Sequence, residues 1–245
     1  MTGGAPQPVQ WSVVIPAFNE AGRLPRYLDD VKGYFEGRGV GFEVVVVDDG
    51  STDATGRVVE AAAGLHPSIR LLRNGRNEGK GAAVRHGMLA ARGRYRLFAD
   101  ADGATPITEL KRLEPLLLAG AEVVIGSRVL PDPAVSVAAR RHRVAAGRLF
   151  NWLVAWAGLP GIADSQCGFK AFTALAAETL FPRLQTDGFG FDVELLLLAR
   201  AAGYRIVEVP VNWVDQPGSK TSVLRDGPRM FWEILKARRR LGQGA

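Results

Sequence analysis

The feature that most constrains this chain is an alternation. In its first half, short β-branched runs end on turn residues, and each is followed by a longer segment of helical period. The runs "WSVVIP" (11–16), "FEVVVVDD" (42–49), "IRLLR" (69–73), "YRLFAD" (95–100) and "AEVVIGSR" (121–128) have strand character. Between them come Leu24, Leu28, Val31 and Phe35 at helical spacing, then "TDATGRVVEAAAG", "GKGAAVRHGMLAARG" and "PITELKRLEPLLLAG". Strand alternating with helix predicts an α/β fold, a mostly parallel sheet flanked by helices. Such sheets take ligands at the carboxyl ends of their strands. Asp48, Asp49, Asp100 and Asp102 all fall at such ends, on two different strands.

With 245 residues, 47% of them hydrophobic, the chain can bury one large core. We expect a loose tail over 1–10, one domain over 11–225, and a basic amphipathic helix over 226–245. Beyond Pro131 the pattern turns to a basic stretch, "ARRHRVAAGRLFNWLVAW", then a helical "FDVELLLLARAAG", a strand "YRIVEVPVNW" and a last helix from about Pro228 to Arg240. A net charge of +6 favours an anionic partner, without choosing among nucleotide, phosphate, lipid headgroup and nucleic acid. The single cysteine, Cys167, and the absence of a signal-like opening favour a reducing, cytoplasmic setting. The apolar stretch from Leu149 to Ala163 falls short of the roughly 20 residues needed to span a bilayer.

Asp100 and Asp102 carry the sharpest chemical signal. An Asp before a helix or in a turn is common, and Asp102 ahead of "GATPITEL" suits that role. It does not account for a second carboxylate two residues away. Two carboxylates so spaced on an extended segment can face one hard divalent cation, Mg²⁺ or Mn²⁺. "GRNEGKGAAVRHG" (75–87) misses the phosphate-binding P-loop pattern, since Gly75 and Gly79 are one residue too close and Gly81 follows Lys80. Its glycines open a helix either to bring backbone amides to a phosphate or sugar, or to make a tight turn. His66, His86 and His142 lack metal-ligand spacing, and Cys167 lacks the partners of a nucleophile. Asp187, Asp192 and Glu194 straddle a glycine-broken helix start, where a carboxylate also suits the helix dipole.

Together the motifs resemble family 2 glycosyltransferases of the GT-A fold, most closely the branch that includes dolichyl-phosphate glucosyltransferase and dolichyl-phosphate mannose synthase. "VVIPAFNE" (13–20), "VVVDDGSTD" (45–53), "RNEGKGAAVRHG" (76–87), "DADGATP" (100–106), "GSR" (126–128), "DSQCGFKAF" (164–172), "FGFDVELL" (189–196) and "GSK" (218–220) occur in the family's order. The resemblance implies a nucleotide-sugar donor. Pro16, Ala17 and Glu20 are then expected at its base and ribose, Asp49 at the base with Asp48 and Ser51 beside it, and Gly79 and Lys80 over the nucleotide. Asp100, Ala101 and Asp102 become the D-x-D segment, whose two carboxylates hold Mg²⁺ or Mn²⁺. Arg128, Arg143 and Lys220 match basic positions that grip phosphates, and Gln166 and Ser219 lie in the acceptor-side motifs. In the mannose synthase branch a Gln two residues after the second Asp is a metal ligand; here Ala104 stands there. That departure implies UDP-glucose as donor and fewer protein ligands for the metal.

The family inverts the anomeric centre in one displacement. A hydroxyl acceptor then needs a general base, for which Asp192 matches. A phosphate acceptor, with a second pKa near 6, is mostly ionised at about pH 7 and needs cations more than a base. The arginines between Arg140 and Arg148 suit the phosphate case. The resemblance therefore implies transfer of glucose to a polyprenyl or dolichyl phosphate by a peripheral protein at the inner, cytoplasmic face of a membrane, with no nucleic-acid partner. A soluble enzyme acting on a sugar, protein or small-molecule hydroxyl, and a nucleotide-binding module without turnover, are the alternatives. For the membrane contact, Phe231, Ile234, Leu235 and Arg238 share one helical face flanked by Arg229, Lys236, Arg239 and Arg240. The segment 140–158 repeats cations beside Leu149, Phe150, Trp152, Leu153 and Trp156. Packing of Phe231, Trp232 and Ile234 on the sheet is the plainer use of the same pattern.

Overall fold

A computed structural model describes residues 8–138, 159–216 and 223–242. The expected strands appear as β1 (Trp11–Ala17), β2 (Phe42–Asp48), β3 (Ile69–Arg73), β4 (Tyr95–Ala99) and β5 (Val123–Ser127). The expected helices between them are α1 (Leu24–Glu36), α2 (Thr55–Leu65), α3 (Lys80–Ala90) and α4 (Leu110–Leu118). The later part adds β6 (Val137–Ala138), β7 (Phe169–Thr173), α5 (Ala174–Leu180), α6 (Phe191–Ala201), β8 (Ile206–Pro210), β9 (Trp213–Val214) and α7 (Val223–Gly242).

Seven strands form one sheet in the order β3-β2-β1-β4-β7-β5-β8. All neighbours run parallel except β7, which is antiparallel to both β4 and β5. Strand β7 was not anticipated, because its segment was visible only as part of a motif and Lys170 sits in its middle. "YRIVEVPVNW" divides into β8 and β9, the latter pairing with β6 in a separate two-stranded sheet.

Burial follows the two-residue period of a strand. Val13, Ile15, Val44, Val46, Leu97 and Ala99 face one core with side chains of α1 and α4. Val14, Val45, Val47 and Phe98 face the other, with α3, α5 and α6. The valine run of β2 is continuous because both of its faces are covered. Helix α3 lies so close to the sheet that a Cβ on Gly87 would meet Val14 Cγ1 at 2.3 Å.

The chain leaves β1 towards β2 on one side, and β4 joins β1 on the other. This switch point opens a crevice at the carboxyl ends of β1 and β4, where open α/β sheets bind ligands. The last helix differs from expectation at its start. It already runs from Val223, so Pro228 lies within it and the division at 225/226 falls inside a continuous element. Ile234 and Ala237 are buried where α7 packs on α6.

Candidate active site

Strand β4 delivers the acidic pair to the crevice. Its last residue, Ala99, is buried, and the chain turns through Asp100, Ala101 and Asp102 to Gly103, whose φ of +64° suits glycine. The Asp100 amide donates to the Gly168 carbonyl at 3.0 Å, which ties this turn to the start of β7. Gly168 has no space for a side chain, since a Cβ there would meet Asp100 Oδ2 at 2.1 Å. Asp102 Oδ1 accepts from the Ala104 amide at 3.0 Å, so the turn-forming use of Asp102 is real and coexists with its place in the site.

Cations stand against these carboxylates. Lys80 Nζ lies 2.6 Å from Asp100 Oδ1, and an Arg23 guanidinium nitrogen lies 3.9 Å from Asp102 Oδ2. Arg23 also pairs with Glu20 at 2.6 Å, so the Glu20 carboxylate is engaged by its own helix start. Behind Lys80 is a wholly buried pair: Lys170 Nζ contacts Asp192 Oδ1 at 2.5 Å and the Cys167 carbonyl at 2.6 Å. The result is a row of charged groups from Glu20 and Arg23 through the adjacent carboxylates Asp102 and Asp100 to Lys80, Asp192 and Lys170.

The charges set one another's protonation. Burial pushes the Asp102 carboxyl above its ordinary range, and Asp100 pushes it further in the same direction. Burial works against the Lys80 ammonium, but Asp100 and Asp192 outweigh it and the net shift is upward. Asp192 is raised by burial, with Lys170 and Lys80 opposing. Burial also pushes the Cys167 thiol up to about 12, which fits a packed, unreactive side chain.

Asp100 and Asp102 fit a hard divalent cation. They supply carboxylate oxygens, their mutual repulsion is only partly relieved by Lys80 and Arg23, and the nearby buried Tyr27 hydroxyl has no hydrogen-bond partner among the described residues. Among the described residues no group of three or more Asp, Glu, His or Cys side chains could enclose a metal. Ala104, at the position of the mannose-branch Gln, is buried and accepts from the Val214 amide at 2.9 Å.

Other expected site residues sit at the crevice with defined internal partners. Ala17 ends β1 and its carbonyl accepts from the Asp49 amide at 2.8 Å, with Pro16 just before it. Asp48 Oδ1 accepts from the Ser51 amide at 2.9 Å, and Ser51 Oγ accepts from the Asn19 amide at 2.9 Å. Asp49 was expected at the nucleotide base. Its two oxygens accept from Asn74 Nδ2 at 2.7 Å and from the amides of Glu78 and Gly79 at 3.0 and 2.9 Å, which ties that loop to the end of β2. The glycines that open α3 are also used internally. The Gly81 amide donates to the Asp187 carbonyl at 2.7 Å, and a Cβ on Gly79 would meet that same oxygen at 2.4 Å. The tight-turn reading of this motif therefore holds, and those amides are not presented to a phosphate.

Arg128 and Asp192 also have defined internal partners. The Arg128 guanidinium makes a two-pronged pair with Asp164, Nε to Oδ2 at 2.7 Å and Nη2 to Oδ1 at 2.8 Å, and lies over the Trp213 ring at 5.7 Å. Asp164 is itself held, since Glu208 accepts the amides of Ala163 and Asp164. Arg128, expected to grip a phosphate, is thus held in one orientation by Asp164. Asp192, expected as a general base for a hydroxyl acceptor, is buried with one oxygen on the Lys170 ammonium. Gln166 Nε2 donates to the Phe189 carbonyl at 3.3 Å and so braces the start of α6. Arg143, Ser219, Lys220 and the segment 140–158 lie outside the described residues.

Sequence reasoning missed Arg23, Asn19, Asp164, Lys170 and Glu208. Asn19 had a readable signal, a short polar residue between "PAF" and Glu20; it adopts φ +53° and its side-chain oxygen accepts from the amides of Thr52 and Asp53. Lys170 was written inside a quoted motif, and its apolar neighbours in "GFKAF" were the cue that it is buried.

The model for "Glycosyl transferase family 2" matches residues 12–174 of the chain. A dolichyl-phosphate beta-glucosyltransferase of Trichomonas vaginalis is 39% identical over 229 residues, 89% of this chain and 68% of that protein. The dolichyl-phosphate beta-glucosyltransferase of Homo sapiens is 37% identical over 253 aligned residues, 96% of this chain and 77% of that protein. Among solved structures, glucosyl-3-phosphoglycerate synthase from Mycobacterium tuberculosis in complex with UDP superposes with a TM-score of 0.69 at 21% identity, covering 96% of this chain and 80% of that one. The same enzyme with Mn²⁺, UDP and phosphoglyceric acid gives a TM-score of 0.66 at 22% identity, over 94% of this chain and 77% of that one. These structural likenesses show a shared fold.

Proposed function

From the chain's membership of glycosyl transferase family 2, to which it belongs with the GT-A fold, we propose that it transfers glucose from UDP-glucose to a polyprenyl or dolichyl phosphate. The observation that carries this is the acidic pair Asp100 and Asp102, set at the sheet's switch point among Lys80, Arg23 and Arg128. The names of the relatives support glucose and a lipid phosphate. A divalent cation, Mg²⁺ or Mn²⁺ as in the solved neighbours, supplies charge neutralisation for the departing diphosphate when it is bound.

The remaining chemistry belongs to the chain's own groups. The acceptor phosphate oxygen forms a bond to the anomeric carbon as the bond from that carbon to the UDP oxygen breaks, and UDP leaves. That oxygen is already ionised at neutral pH, so the buried, paired state of Asp192 costs the reaction nothing. Lys80 can turn from Asp100 to the diphosphate, since the two anions compete for one ammonium. Arg128, locked to Asp164 and over Trp213, keeps a cation facing the acceptor side without reorganisation.

Binding of UDP-glucose is expected to be at least about tenfold tighter than that of GDP-mannose, a difference of about 1.4 kcal/mol. Calorimetric titration of both, with Mn²⁺ present, checks it; equal affinities or a preference for GDP-mannose refute the donor assignment. Acceptor choice is read from transfer to polyprenyl phosphate in detergent against transfer to simple glycosides, and transfer only to the glycosides overturns the lipid acceptor.

The protein meets its acceptor from the cytoplasmic side, as a peripheral protein. No helix among the described residues is long and apolar enough to cross a membrane. Ile234, one of the residues expected on the membrane-facing side of this helix, is buried against the domain. Trp232, exposed to 58%, is an apolar side chain left outward on α7, with Arg238 and Arg239 also exposed. Co-sedimentation with anionic vesicles should fall with Trp232→Ser and with rising salt. Equal pelleting of both proteins removes Trp232 from the contact.

A further inference from the structure

Helix α7 reaches the donor side of the site through a short chain of contacts. Its Glu233 carboxylate accepts from the Gly190 amide at 2.8 Å, and Gly190 is the residue that caps α6. A carboxylate at that position satisfies an amide that α6 cannot pair and meets the positive end of its dipole. The approach is close enough that an added side chain would move the carboxylate: a Cβ on Gly188 would lie 2.3 Å from Glu233 Oε1, and one on Gly190 2.8 Å from Glu233 Cβ. One α7 turn pair, Arg229 to Glu233 at 3.1 Å, holds the carboxylate in place. Two turns on, Arg240 contacts Glu194 at 2.8 Å, and Glu194 accepts from the Thr186 amide at 2.7 Å.

The segment so clamped is the one that seats Lys80. The Asp187 carbonyl accepts from Gly81 and Ala82 at 2.7 and 3.3 Å, and a Cβ on Gly81 would meet the Thr186 carbonyl at 2.3 Å. Phe191, the first residue of α6, lies under the Lys80 ammonium at 5.9 Å. Displacing residues 186–190 therefore displaces the amino end of α3 and, with it, the cation beside Asp100.

We propose that Glu233 is a positioning residue of the donor site, acting through Gly190 and Asp187 on Lys80, so that docking of the C-terminal helix and binding of the nucleotide are coupled. This rests on the reading of Lys80 as part of a nucleotide-sugar site. Coupling of this kind is reciprocal: whatever loosens α7 weakens the nucleotide, and the nucleotide tightens α7.

The test compares the wild-type chain with Glu233→Gln and, as an independent perturbation of the same contact from the other side, Gly188→Ala. Two measurements are made on each: hydrogen exchange of the peptide covering 79–83 without ligand, and calorimetric titration with UDP and Mn²⁺. Both variants should exchange faster at 79–83 and bind UDP about fivefold or more weakly, the low end of site-to-site coupling, while KM for UDP-glucose rises more than kcat falls. Unchanged exchange at 79–83 in both variants overturns the inference, as does faster exchange with UDP affinity unaltered. Failure of the wild-type chain to bind UDP at all is a different result, and removes the donor-site reading on which the inference rests.

Discussion

Asp102→Asn is expected to lower kcat/KM for glucose transfer by about 10²- to 10³-fold or more, the cost of removing one preorganised electrostatic group from a site of developing charge. The substitution keeps the shape of the side chain and an oxygen that can still accept from the Ala104 amide, so the turn after β4 should survive. Its carboxylate is partly open to solvent and its nearest cation, Arg23, is already paired with Glu20. The fold therefore gains little from the charge, and the thermal midpoint should barely move. Loss of Mn²⁺ binding, followed directly by electron paramagnetic resonance without substrate, should accompany the loss of turnover. EDTA should silence the wild-type protein and added Mg²⁺ or Mn²⁺ restore it. Asp102→Asn with substantial turnover, or full wild-type activity in EDTA, ends the assignment of this pair as a metal site.

The carboxylates on which the proposed chemistry rests were legible in the sequence, and the partners of the buried charges were not. Asp100 and Asp102 stand out because a strand end is a predictable place and two carboxylates there need a reason. The valine run of β2 likewise announces a strand covered on both faces. Partners come from distant segments: Lys170 is 22 residues from Asp192, and Arg128 is 36 from Asp164. Nothing in the local pattern of either residue says which opposite charge it will meet. The motifs that put Asp49 at the nucleotide base and Asp192 as a base likewise say nothing of the internal partners that both carboxylates have. The C-terminal helix shows the same limit. Its apolar stripe is plain, yet which side of it rests on α6 is decided by packing that a helical wheel does not contain.

The largest expected effect on stability lies at Lys170. Its side chain is wholly buried in the middle of β7, 5.2 Å from the Phe98 ring, and its ammonium is matched by Asp192 and the Cys167 carbonyl. Lys170→Met preserves much of the side chain's length but leaves a carboxylate in the core without its counter-ion. Breaking a buried pair in this way costs about 3–5 kcal/mol, whereas replacing both partners by apolar groups is often close to neutral. Lys170→Met/Asp192→Leu should therefore recover most of what Lys170→Met loses, and urea unfolding of the two variants against wild type gives both numbers. The loss should also depend on pH with a definite sign. Burial already raises the Asp192 carboxyl, with Lys170 opposing that rise, so removing Lys170 lifts it further. A carboxyl with a higher pKa folded than unfolded takes up protons on folding, so its contribution to stability falls as pH rises from the unfolded value through the folded one. The deficit of Lys170→Met relative to wild type should accordingly be smaller at about pH 5 than at about pH 7, and Lys170→Met/Asp192→Leu, which lacks the carboxyl, should not show that narrowing. A cost below about 1 kcal/mol for Lys170→Met, within the range of an ordinary surface substitution, would mean that this pair does not hold the sheet against α6.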